Sequence, residues 1–239
     1  MVSLFRRRSR HAAAPRLHAR GEPEINVNKV DFSELAPTLE QFLAQAAYLQ
    51  LTVFETLAGA VAGAPDAESK EAVSTAAALS LQKHHGLIAE IARKRKDAAA
   101  AMVPYAGRID DYRSRTIGSN WYETMVTSYV TAGLLDDFSR GLASGLPAES
   151  ARRVSDILGT DDGHRLIADE LRKSIEADPR LASKLAMWGR RLVGDTLLIA
   201  RSSLAIPASG HADEARLEPV FTELIAAHTR RMDALGLTA

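Results

Sequence analysis

The chain has 239 residues, 46% of them apolar, with 30 basic against 30 acidic side chains, so it can bury a sizeable core and is expected to form one large domain. It contains no cysteine, which excludes disulfides, thiolate zinc sites, iron–sulfur clusters and a cysteine nucleophile, and leaves any metal to His, Asp and Glu. The charge is uneven: Arg6, Arg7, Arg8, Arg10, Arg16 and Arg20 stand in a stretch with no acid, so acids exceed bases by six in the remainder, which does not advertise binding to a phosphate backbone.

Residues 1–30 lack helical or strand periodicity and are expected to form a flexible basic arm, with residues 31–239 as the helical domain. The arginines are followed by Ala, Pro and His instead of an apolar run, so no secretory signal is expected. No stretch approaches the roughly 18 apolar residues of a membrane span. The expectation is a soluble, cytoplasmic protein without a membrane partner.

From Ser33 the pattern turns helical. Leu39, Leu43, Ala46, Gln50, Val53 and Leu57 draw one stripe through a first helix over about residues 34–62, with Gln50 at its centre. Gly63 and Pro65 break it, and Asp66 is a fitting N-cap for a second helix to about residue 95. Its inner stripe is expected to be Val73, Ala77, Leu81, His84, Ile88 and Ile91. Between Lys96 and Gly118, Pro104, Gly107 and Gly118 predict a less regular crossover containing short helical turns. A third helix follows over about residues 119–143, and a fourth over about 147–176, softened at Gly159, Thr160 and Gly163. Asp178 and Pro179 start a fifth helix to about Ser203, and a sixth runs over about 214–235 to Gly236. The class is all-α: a ferritin-like four-helix bundle with a long crossover and two additional C-terminal helices.

In di-iron bundles of this kind two helices each supply a carboxylate and two supply Glu-x-x-His. Here the fourth helix offers Asp161 and His164, whose spacing puts both side chains on one stripe. The second offers His84 behind Leu81, a register preferred over Gln82 and His85 because Gln82 falls off the apolar stripe. The first offers Gln50, an amide suited to satisfying a buried histidine but a poor iron ligand. The third places Ala132 inward, with Asp136 one turn further as either surface, a local ion pair or a displaced carboxylate ligand. Without a metal, Asp161 is expected to pair with His164 or His84 or to accept from Gln50. Trp188, followed by Gly189, is expected to pack between helices, with Arg190 and Arg191 facing solvent or pairing with acids.

The stretches Ala177-Asp-Pro-Arg-Leu-Ala, Trp188-Gly-Arg-Arg-Leu-Val-Gly-Asp195 and His228-Thr-Arg-Arg-Met-Asp-Ala-Leu-Gly-Leu237, with Tyr48–Phe54, Tyr129–Phe138 and Asp161–His164 in register, resemble an actinobacterial ferritin-like family related to the tRNA hydroxylase MiaE. The resemblance spans about residue 37 to the end. It implies a ferritin-like fold and, in metal-competent relatives, a non-haem di-iron centre that uses dioxygen to hydroxylate the isopentenyl group of a modified adenosine in tRNA. Carried over by position, Asp161, His164 and His84 match the ligands, whereas Gln50, Leu81 and Ala132 depart from them. The leading expectation is therefore a degraded di-iron site that is non-catalytic or holds at most a single iron. Two alternatives stand beside it: an active non-haem iron oxygenase using Asp161, His164 and His84, and a helical scaffold marked by an apolar centre and an exposed apolar patch on the fifth or sixth helix. A homodimer and, through the resemblance alone, tRNA are the partners it admits.

Overall fold

The computed structural model describes residues 32, 35–159, 162–205 and 212–238. Among them lie nine α-helices: α1 (Leu39–Val61), α2 (Ala67–Arg93), α3 (Ala98–Thr116), α4 (Trp121–Thr127), α5 (Gly133–Ala143), α6 (Ala148–Leu158), α7 (Asp162–Ala177), α8 (Arg180–Ser202) and α9 (Ala212–Ala234). A π-helical segment, Ser128–Ala132, joins α4 to α5 without a break. No strand occurs among the described residues.

Local chemistry fixes most helix starts. Thr38 and Gln41 form a reciprocal capping box at α1, and Asp66 accepts from the Ser69 amide at 2.7 Å to start α2. Asn120 accepts from the Glu123 amide at 3.0 Å to start α4. At α8 the helix proper begins one residue beyond the expected proline, while the Asp178 carboxylate still accepts from the Arg180 amide at 3.0 Å. Gly236, at φ +70°, adopts the left-handed conformation that stops α9.

The expectation of a less regular crossover is corrected: α3 is a 19-residue helix that runs through Pro104. Asp97 accepts from the amides of Ala99 and Ala100, and Ile109, Tyr112 and Thr116 bury one side of α3, which packs on α1 and α8. That burial outweighs the hydrogen bond lost at an exposed proline. The fourth helix, expected as one softened rod, is instead two helices, α6 and α7, with Gly159 outside both. The arginine-rich arm lies outside the described residues.

The core has two apolar halves. One gathers Phe42, Leu43, Leu87, Ile91, Phe138 and Leu158; the other gathers Leu57, Val73, Met125, Val130, Ile167 and Leu171. Along α1 the chain passes from the first half to the second, along α2 back again, along α4 to α5 in the same sense as α2, and along α6 to α7 the other way. The second and third long helices are therefore parallel, which a crossover the length of α3 makes possible. Each of the four rods changes halves at a waist, near residues 50, 83, 132–136 and 164.

Candidate functional site

That waist is polar. The Asp136 carboxylate is buried and receives three side chains from three other rods: Gln50 Nε2 donates to Oδ1 at 2.5 Å, Lys83 Nζ lies 2.6 Å from Oδ2, and His164 Nε2 lies 3.2 Å from Oδ2. Because carboxylate oxygens only accept, His164 carries its proton on Nε2. Burial by itself would raise the Asp136 carboxyl, but the Lys83 ammonium and His164 outweigh it and hold the group well below the usual carboxylate range.

The helix-surface reading of Asp136 is thus corrected: it is the hub of the bundle. The expected stripe of α2 is corrected in part: Val73, Ala77, His84 and Ile91 are buried as expected, but Leu81 is not at the centre. The buried stripe runs through Val73, Ala76, Ala77, Ser80, Lys83, His84, Leu87, Glu90 and Ile91, so Ser80 and Lys83 stand at the waist, Leu81 is only half-buried, and Gln82 and His85 are exposed. Apolar counting discounts a serine and a lysine, which turned the apparent stripe away from its true centre. The signal that would have found Lys83 is its place between Ala76, Ala77 and Leu87 at helical spacing.

Of the candidate residues, the structure brings Gln50, Asp136 and His164 together. His84 is buried but points elsewhere, its Nδ1–H donating to the Ala47 carbonyl at 2.9 Å. Asp161 lies outside the described residues, so its expected pairing does too, while His164 and Gln50, two of its expected partners, are on Asp136. Ala132 is buried as expected. Among the described residues no three His, Asp or Glu side chains converge as a metal site requires. Beside the cluster is a cavity of about 10 Å³ bordered by Ser80, Lys83, Ser128 and His164. It is no larger than a single water needs.

The next residue faces a different cation. Asp137 is buried against Arg231 of α9, whose Nη2 lies 2.5 Å away, and it also binds Arg140. Arg231 is 1% exposed, and its guanidinium sits 5.5 Å from the Tyr129 ring. Gly133 makes room for it, since a Cβ there would stand 2.4 Å from Arg231 Nη1. The π-helical segment adds a residue to the turn just before this pair of acids, so wheel positions counted from Trp121 no longer hold at Asp136.

The features expected of a scaffold are only half present. Met187 and Leu198 on α8 and Ile225 on α9 are exposed, but the centre is ionic instead of apolar. Trp188 packs between helices as expected, its Nε1 donating to Thr127 Oγ1 at 2.9 Å, and Arg191 stacks over its ring while Arg190 donates to the Thr238 carbonyl. No helix among the described residues is long and apolar enough to cross a membrane.

No curated protein matches the chain. A family described as ferritin-like domain, actinomycetes, matches residues 36–206, which include every helix that meets at the waist. With that match and the two-up, two-down rods joined by a long crossover, the chain belongs to the ferritin-like domain family of actinomycetes.

Proposed function

We propose that this is a ferritin-like protein, related to the MiaE hydroxylases, whose di-iron site has degenerated into a buried ion cluster and which performs no dioxygen chemistry. The supporting observation is Lys83. Its Ser80-x-x-Lys83 register stands where a metal-binding bundle carries Glu-x-x-His, and its ammonium lies 2.6 Å from the central carboxylate. An ammonium has no lone pair to give a metal, and its charge opposes a second cation in a space it already neutralises. The described donor set, one carboxylate, one imidazole and one amide, does not fit two iron ions, which need bridging carboxylates. The adjoining cavity of about 10 Å³ leaves no room for a nucleoside substrate beside the cluster.

The decisive experiment is metal analysis of the full chain purified from iron-supplemented cells, joined to anaerobic thermal melts with ferrous iron. The expected result is substoichiometric iron and an unchanged midpoint. Two tightly held irons per chain with an oxygen-dependent optical change would overturn the reading in favour of an oxygenase acting on tRNA or another substrate. A binding ligand a hundredfold above its Kd stabilises the native state by about 2.7 kcal/mol, so the melt is sensitive enough to decide.

A further inference from the structure

On the crossover side of the bundle, α1, α3 and the π-helical segment enclose a second cavity of about 40 Å³ that opens to solvent, with about 410 Å³ free of protein atoms when its mouth is included. A single water needs only about 10–15 Å³ on the smaller measure. Its walls are Leu49, Val53, Ala132 and Leu135, with Ile117 also lining it. Ser128 and Val53 border both this cavity and the small one at the waist, but Lys83 and His164 line only the latter.

Between the apolar walls stand hydroxyls whose protons are already committed. Thr116 Oγ1 donates to the Tyr112 carbonyl at 2.8 Å, Thr131 Oγ1 to the Thr127 carbonyl at 2.7 Å, and Thr196 Oγ1, just behind, to the Leu192 carbonyl at 2.7 Å. Each can offer its neighbours only lone pairs. The Tyr112 hydroxyl interacts with these three side chains but completes no hydrogen bond of normal length and angle with any of them, although the residue is 6% exposed. A buried O–H whose hydrogen bonds are poorly formed gains when a better-placed acceptor enters beside it.

We infer that this cavity is a binding site for a small neutral molecule that presents a hydroxyl on a compact apolar body, such as a phenol or cyclic alcohol. A hydroxyl placed among these groups accepts from Tyr112 and donates to Thr116 or Thr131, which satisfies both sides. An ammonium would donate only and leave Tyr112 unrelieved, with Arg113 at the rim opposing its charge. A carboxylate would face the threonine lone pairs. The apolar walls take up only part of the ligand, and the remainder of its body lies in the open mouth.

The test is a titration of the full chain, labelled at its threonine methyls, with phenol, anisole and toluene by NMR. Phenol is expected to shift the Thr116 and Thr131 methyls and to bind at least tenfold more tightly than anisole or toluene, which lack the donor. Tyr112→Phe is expected to reduce that preference to about twofold while toluene still binds, which also reports that the variant is folded. Should that variant fail to fold, the double variant Thr116→Val, Thr131→Val, which removes both acceptors and is read at the Thr52 and Thr56 methyls that also line the cavity, carries the same expectation. Equal affinity for phenol and toluene, an unchanged phenol preference in both variants, or shifts confined to methyls outside the cavity would overturn the proposal, as would no shift at all, which would leave the cavity to water alone.

Discussion

Replacing Lys83 with Met keeps the aliphatic stem and removes the charge, leaving the Asp136 carboxylate with only Gln50 and His164. The pair is nearly desolvated, at 8% and 7% side-chain exposure, so screening by water does not discount it. At their 2.6 Å separation, an effective dielectric of about 20 gives an attraction of about 6 kcal/mol, part of which is offset by the cost of burying both ions. Removing one partner of such a pair destabilises by about 3–5 kcal/mol. For a chain of this size that lowers the melting midpoint by about 10 °C. Urea unfolding at pH 7 should show the loss in Lys83→Met and in Asp136→Leu separately. In the double variant, where neither charge is stranded, the loss should be smaller than either single effect or close to it. The sign of the pH dependence follows from the depressed Asp136 carboxyl: its contribution in the parent is fully present above the unfolded pKa of about 4 and is lost as pH falls below it. A loss under about 1 kcal/mol in Lys83→Met, or a double variant as unstable as the sum of the singles, would refute a functional ion pair at the waist.

Rebuilding the ligand motif in its true register, Ser80→Glu with Lys83→His, is expected to create cobalt or ferrous affinity that the parent lacks, visible as a metal-dependent rise in melting midpoint; the same change placed at Leu81 and His84 should not. Burial of His228 pushes its imidazole down to about 4, so stability is complete above the unfolded value of about 6.5 and falls by about 3 kcal/mol as pH drops from there towards 4. His228→Leu should flatten that part of the stability curve, and an unchanged slope would count against the assignment. Gly133→Ala should cost about 2–4 kcal/mol by unseating Arg231 from Asp137, whereas Gly59→Ala, in α1 with nothing within 4 Å of its added Cβ, should stabilise by up to about 1 kcal/mol in the same unfolding assay.

The chain's own residue pattern determined the helical class, the Asp66 helix start, the inward place of Gln50 and the soft spot around Gly159, because caps, 3.6-residue periodicity and glycine act within a few residues of themselves. It did not reveal α3 as one helix, since Pro104 and Gly107 are local signals while the burial of Ile109, Tyr112 and Thr116 against α1 and α8 is not. Nor did it reveal the waist. Lys83 reads as a solvent residue on any hydrophobicity count, and becomes a core residue only when a carboxylate 53 positions away comes within 2.6 Å. Arg231 enters the core for the same reason, through Asp137 and the space left by Gly133. Periodicity records which faces are apolar, but a buried charge is decided by its partner, and the partner is supplied by the tertiary fold.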